Sequence, residues 1–322
     1  MTKIPVFILS GFLGSGKTTL LKSFLKKCAQ KRLKPAILMN EIGKADMDGE
    51  ILLQRNKNEI VEKLLDGCMC CSQKSEVTET MLKLLHQQPD VIFIELTGVA
   101  NPEEVVDSLT DPELIDSLYL EKVVTLLDGE NILEYNSIFE ADKELVQTTR
   151  RQIEVADLLV VNKLDLITSS FKEKITKAIR KRNSVSPLLF TTYSEIDVNG
   201  LLEGITEVNK EKFYANRRTP YPHIHGNSVS FSRINTLTLS VNEPMKSSIV
   251  AKFLKRWHPN LLRAKGYLFV NENCYLLQHV MKRSYWEPSD YRGRNYLVLI
   301  GIDLNIDEIQ KEWAKLSLKV GS

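Results

Sequence analysis

Through the first two-thirds of the chain, short, largely apolar runs alternate with longer stretches whose apolar residues recur every three or four positions. The runs at 5–10, 35–39, 59–65, 91–95, 122–128, 158–162 and 187–191 predict strands. The stretches at 18–30, 74–87, 144–156 and 171–182 predict amphipathic helices. Several runs, such as Val91-Ile92-Phe93-Ile94, are continuous rather than alternating, as strands covered on both faces must be. Alternation of strand and helix predicts an α/β fold with a mostly parallel sheet flanked by helices.

The pattern changes at 209–227, a polar stretch rich in Lys, Arg, Pro and Asn that reads as a linker. Beyond it, β-rich runs at 228–232 and 236–241 precede a predicted helix at 246–257. Strands at 266–270, 274–280 and 296–302 and a helix at 307–316 follow. The expected organisation is an α/β domain over 1–208 and a smaller C-terminal α+β domain over 228–322. The length of 322 residues suits roughly two domains of about 150 residues each.

Charge adds little: 43 Lys and Arg against 41 Asp and Glu leave +2, which calls for no nucleic-acid partner. No apolar run approaches the roughly 20 residues that span a bilayer, so no membrane partner is expected. Residues 1–10 run straight into a glycine-rich turn, so they read as a first strand rather than a secretory signal. Five cysteines make no disulfide framework in a chain of this length, and a reducing cytoplasm is expected.

The turn after the first strand is Gly11-Phe12-Leu13-Gly14-Ser15-Gly16-Lys17-Thr18-Thr19, a P-loop in its proper strand–loop–helix setting. Gly11, Gly14 and Gly16 let the backbone wrap phosphates, with N–H groups of the loop, Ser15 and Thr19 included, turned inward. Lys17 would contact the β- and γ-phosphates and the Thr18 hydroxyl would hold Mg²⁺. The helix that follows points its positive end at the same place. A second strand, 91–95, ends in Glu95-Leu96-Thr97-Gly98. Glu95 could hold Mg²⁺ through water, and Gly98 could donate its N–H to a γ-phosphate. The plainer role for Glu95 is to cap the helix that follows Pro102.

Asn162-Lys163-Leu164-Asp165 closes the strand 158–162. In P-loop GTPases this motif reads guanine: the Asp165 carboxylate can accept both N1–H and the exocyclic amine. Adenine lacks that pair of donors and would leave buried oxygens unpaired. Lys163 would lie along the base and Asn162 would brace the loops. Thr192-Tyr193-Ser194, after the next strand, is a candidate backbone contact to the guanine oxygen. The cofactors expected from these motifs are GTP or GDP and Mg²⁺.

Three of the five cysteines fall in Cys68-Met69-Cys70-Cys71. Thiolates so close together form a soft-ligand site suited to zinc, copper(I) or iron–sulfur chemistry. In an extended segment Cys68 and Cys70 point one way and Cys71 the other, so three thiolates converge only with local bending. A tetrahedral set then needs an outside ligand, for which Glu41, Asp46 and Asp48 are candidates. A buried thiol cluster or redox pair is the alternative. Cys28 and Cys274 are isolated and read as core residues. His223 and His225 read as loop residues, and His86, His258 and His279 as surface or packing residues.

The phosphate loop, Asn40-Glu41-Ile42-Gly43, Gly67-Cys68-Met69-Cys70-Cys71, Glu95-Leu96-Thr97-Gly98 and Asn162-Lys163-Leu164-Asp165 occur in the order seen in CobW-type metal-handling GTPases. These are relatives of UreG and HypB, the nickel-insertion GTPases of urease and hydrogenase. The segment from Gln152 to Asp157 and Arg263-Ala264-Lys265-Gly266-Tyr267 also resemble that family, so the resemblance covers nearly the whole chain. It implies a GTPase domain in which Lys17, Thr18 and Glu95 serve hydrolysis. Cys68, Cys70 and Cys71, with Glu41, would bind a transition metal, most often zinc, for delivery to a client metalloprotein, and a homodimer is compatible with it. Cobalt or iron insertion fits the same fold, and a nucleotide-gated metal-sensing module is the competing function. Two departures stand out. Lys44 replaces the second acid of the family's Asn-Glu-Phe-Gly-Glu segment, and the histidine-rich linker of many members is reduced to His223 and His225.

Overall fold

Every strand pairing in the N-terminal sheet is parallel. The computed structural model describes residues 3–40, 60–64, 74–137, 141–205, 232–241, 244–270, 273–280 and 282–318. Glu41, Lys44, Asp46, Asp48, Cys68, Cys70, Cys71, His223, His225 and the expected linker at 209–227 lie outside the described residues. The chain divides into two compact units, Met1–Asn216 and Arg217–Ser322.

The strands of the first unit are β1 (Ile4–Ser10), β2 (Pro35–Asn40), β3 (Ile60–Leu64), β4 (Val91–Glu95), β5 (Leu118–Asp128), β6 (Leu158–Asn162) and β7 (Leu188–Phe190). They lie in the order β3-β2-β4-β1-β5-β6-β7. The helices are α1 (Lys17–Gln30), α2 (Lys74–His86), α3 (Pro102–Leu109), α4 (Ile132–Tyr135), α5 (Lys143–Val155), α6 (Ser169–Arg180) and α7 (Val198–Leu201). β1, β4 and β6 are buried at every position, the doubly covered strands that continuous apolar runs predict. On one face Phe7, Phe24 and Phe93 form a ring cluster with centroids 5.0–5.6 Å apart, which seats α1 against β1 and β4. Cys28, on the same face of α1, is a core residue as expected. On the other side Ile153 and Ala156 of the α5 region and Ile175 and Ile179 of α6 pack with Leu159 and Val161.

Element boundaries depart from the sequence pattern where one side of a strand is open. β5 begins at Leu118, not 122, because its first residues alternate buried and half-buried while pairing with Ile4–Val6. β7 is shorter than expected, at Leu188–Phe190.

The second unit holds an antiparallel sheet of β8 (Ile234–Ser240), β9 (Leu261–Val270), β10 (Asn273–Val280), β11 (Arg283–Pro288) and β12 (Tyr296–Ile302), in the order β11-β10-β9-β12-β8. α8 (Ser247–Trp257) and α9 (Ile306–Leu318) contribute Val250, Phe253, Leu254, Ile309 and Trp313 to its core. Phe253 and Trp313 meet at 4.8 Å, and the Trp313 indole donates to the Ser240 carbonyl at 3.0 Å. β11 is an edge strand of mostly exposed residues and carries no apolar pattern to announce it. Among the described residues no helix is long and apolar enough to cross a membrane.

The ring cluster sets a stability test. Phe93→Ala should lower unfolding free energy by about 3–5 kcal/mol in urea titration, the cost of a cavity in a closed core. Leu189→Ala, at a side chain 41% exposed, should cost under about 1 kcal/mol.

Candidate functional site: phosphate loop and base motif

β1, β4, β5 and β6 all end at one edge of the parallel sheet, and the chemistry-bearing residues lie at or just after those ends. After Ser10 the loop turns sharply. Gly11 has φ +128°, and a β-carbon there would come within 2.0 Å of the Leu126 carbonyl oxygen. Gly16 has φ +105°, and its β-carbon would lie 2.4 Å from both Asn162 Nδ2 and Ser194 Oγ. Only glycine fits both the left-handed backbone and the space. Gly16 is also the N-cap of α1 and supplies no side-chain cap, and the first turn carries no acid. The N–H groups at the start of α1 therefore keep their capacity for an external anion. Ser15 is buried, and Gly14 and Thr19 are exposed around the loop.

Lys17 folds back over this loop. Its Nζ donates to the carbonyls of Gly11 at 2.8 Å and Phe12 at 3.1 Å. Burial pushes its amine down to about 8, against the opposing pull of the Glu95 carboxylate. One residue on, the Thr18 hydroxyl donates to Glu95 Oε1 at 2.7 Å. Glu95 thus does not serve as the cap of α3, whose N-cap is Asn101. A hydroxyl and a carboxylate brought together beside a phosphate loop are hard oxygen donors of the kind Mg²⁺ takes. Gly98 passes so close that a β-carbon would sit 2.7 Å from the Leu13 backbone nitrogen. The buried Gln152 amide holds that passage from behind, donating to the carbonyls of Gly98 and Ala100 at 3.1 Å each. Arg151 Nε pairs with Glu103 of α3 at 3.1 Å.

The base motif is bound to the phosphate loop through Asn162. Its Nδ2 donates to the Ser15 carbonyl at 2.9 Å and lies 3.0 Å from Ser194 Oγ. Its Oδ1 accepts from the Ser194 N–H at 2.9 Å, and the Ser194 hydroxyl donates to the Gly16 carbonyl at 3.0 Å. Three loops are thereby joined, with Asn162 bracing them as its sequence position predicts. Because Asn162 takes the Ser194 N–H, that donor is not the guanine contact considered for Thr192–Ser194. Tyr193 and Ser194 both hold left-handed backbone, at φ +54° and +56°, as does Lys163 at +62°. Such conformations in residues with a β-carbon cluster where function constrains the chain. Asp165 lies exposed in the short 3-10 turn Leu164–Leu166, which is tied to the next loop by the Leu164 N–H donating to Thr191 O at 2.9 Å.

Lys163 Nζ is 2.8 Å from Asp128 Oδ2. Sequence reasoning assigns no role to Asp128, although it ends a buried strand as Glu95 does. It also assigns no contact to Gln152 or to the Ser194 hydroxyl. Cys274 is buried, as expected of a core residue, and His279 is buried with Nδ1 2.8 Å from Ser284 Oγ. Among the described residues no group of three or more His, Cys, Asp and Glu is placed to hold a metal.

Residues 5–190 match the CobW/HypB/UreG nucleotide-binding domain, and residues 234–317 match the cobalamin synthesis protein cobW C-terminal domain. The Escherichia coli K12 protein named zinc chaperone YjiA is 29% identical over 335 residues, covering 98% of this chain and 99% of its own. Zinc-regulated GTPase metalloprotein activator 1 of Schizosaccharomyces pombe is 34% identical over 223 residues, 67% of this chain and 51% of its own. The crystal structure of Zn(II)-bound YjiA GTPase from E. coli overlaps with a TM-score of 0.48 at 23% identity, covering 98% of this chain and 99% of that one. With its N-terminal match spanning more than half of its length, this chain belongs to the CobW/HypB/UreG family.

Proposed function

We propose that the chain is a GTP-hydrolysing metallochaperone that binds a transition metal, zinc first, and passes it to a client metalloprotein. The observation that carries the nucleotide half is the Asn162 amide, which fixes the base motif against the phosphate loop by its bonds to Ser15 and Ser194. The metal half is supported by the Cys68-Met69-Cys70-Cys71 cluster and by relatives named zinc chaperone and zinc-regulated GTPase metalloprotein activator.

In this reading Gly11, Gly14, Ser15, Gly16 and Thr19 cradle the phosphates. Lys17, steadied by the Gly11 and Phe12 carbonyls, meets the β- and γ-phosphates. Thr18 and Glu95 hold Mg²⁺, which when bound neutralises charge developing on the transferred phosphoryl group. Gly98 meets the γ-phosphate, held from behind by Gln152. Lys163 and Asp165 take the guanine, with Asn162 bracing the loops around it. Cys68, Cys70, Cys71 and Glu41 take the cargo metal. Unassisted hydrolysis is slow, about 10⁻⁴–10⁻² s⁻¹, as in GTPases awaiting a stimulating partner. The reading includes a cytoplasmic location, where thiolates stay reduced, and is compatible with a homodimer.

Titration of the full chain with zinc, cobalt and nickel, with and without GTP and Mg²⁺, tests the cycle. Zinc affinity should change by roughly 5- to 150-fold between the nucleotide states, and zinc should change nucleotide affinity by the same factor. Cys70→Ala should abolish tight metal binding; equal binding without that thiol would sink the metal assignment. Transfer of zinc to an apo-client driven by hydrolysis distinguishes a chaperone from a metal-sensing module, which would bind and reset without transfer.

Lys17 sets a pH dependence. Its amine lies lowered to about 8 in the free protein, and phosphate charge beside it must raise that value. Binding therefore takes up a proton above about pH 8, and affinity is level below that pH and falls above it, by at most about tenfold per unit. Calorimetry in two buffers of different ionisation enthalpy near pH 8.5 reads the uptake, which Lys17→Gln should remove.

A further inference from the structure

Asp128 and Asn162 are register partners at the ends of β5 and β6, and the Gly129 N–H donates to the Asn162 carbonyl at 3.0 Å. The Asp128 side chain is 4% exposed, and its oxygens accept from three donors. These are the Glu130 N–H at 3.0 Å, Asn131 Nδ2 at 3.0 Å and Lys163 Nζ at 2.8 Å. Lys163 belongs to the next loop, and its left-handed backbone accompanies the reach of its ammonium back to Asp128. Burial pushes the Asp128 carboxyl up, but the hydrogen bonds from Lys163, Asn131 and Glu130 outweigh it and hold it below the usual range.

The pair is lopsided. The carboxylate is buried and already served by two N–H groups of its own turn, whereas the Lys163 side chain is 31% exposed. An ion pair with one partner facing water contributes little to stability. Its consequence falls on the lysine stem. A free lysine samples many rotamers, but with Nζ fixed on Asp128 at the end of β5 its four methylenes are held between the ends of β5 and β6. A fixed apolar stem is a platform for a flat base, made in advance of the ligand.

We propose that Asp128 is a positioning residue for nucleotide recognition: it pins the Lys163 ammonium so that the lysine stem is preformed beneath the guanine ring. This inference rests on the reading of Asn162–Asp165 as the base-binding motif. It gives Asp128 no contact with the nucleotide; the residue acts through Lys163 alone.

A double-mutant cycle on the full chain tests it, with a fluorescent N-methylanthraniloyl GDP as probe in the presence of Mg²⁺. Asp128→Asn and Lys163→Ala should each weaken GDP binding, the first by roughly tenfold. The double variant should bind like Lys163→Ala alone. Lys163→Met, which keeps a stem but loses its anchor and leaves the buried turn untouched, should behave like Asp128→Asn. Competition by inorganic pyrophosphate, which needs the phosphate loop but no base, should stay within about twofold of wild type. Full additivity of Asp128→Asn and Lys163→Ala, wild-type binding by Lys163→Met, or parallel loss of pyrophosphate affinity would each overturn the proposal. If Lys163→Ala itself leaves GDP binding unchanged, the base-motif reading fails, and the positioning role with it.

Discussion

One side-chain amide holds together the loops at the edge of the parallel sheet where β1 and β6 end. Asn162 bonds to Ser15 of the phosphate loop and to both the N–H and the hydroxyl of Ser194, and Ser194 in turn bonds to Gly16. These groups are buried, where an unmet donor or acceptor costs about 1–3 kcal/mol, so the three loops are fixed as one body or not at all. Gly16 has no freedom to be anything else, because a β-carbon would occupy the space of this network. The loop that would receive phosphates and the strand end that would receive the base share the same hydrogen bonds.

Around this lock the acidic strand ends divide the work. Glu95 turns to Thr18 and Asp128 to Lys163, each a buried carboxylate serving a residue from a different segment. Gln152 supports the passage through Gly98 from the α5 side, and Arg151 ties α5 to α3 through Glu103. The segment around Gly98 is thus linked by direct bonds to a helix leading into β6 and the base motif. α3 in turn lies beside α2, the helix that follows the cysteine cluster in sequence.

Much of this was legible in the chain because it rests on local rules. β1, β4 and β6 announce themselves by continuous apolar runs, and the phosphate loop by glycines that the backbone demands. Where burial is one-sided the signal fades, as in the first residues of β5 and along the polar edge strand β11. The lock itself is not written locally. Asn162 meets Ser15 across 147 positions, and Ser194 meets Gly16 across 178, so only the folded sheet brings them together. Asp128 went unassigned for the same reason: nothing near it in sequence suggests a lysine 35 positions away.

Lys17 gives the phosphate loop a property that its glycines do not. With its ammonium seated on the Gly11 and Phe12 carbonyls, the loop carries a cation of its own, tied to its backbone by two hydrogen bonds. An ammonium has three donors, so on the proposed cycle two stay with these carbonyls and fix the lysine while the third faces a nucleotide phosphate. The side chain thereby has little rotamer freedom left to lose when a phosphate arrives, because the loop's own backbone has already ordered it.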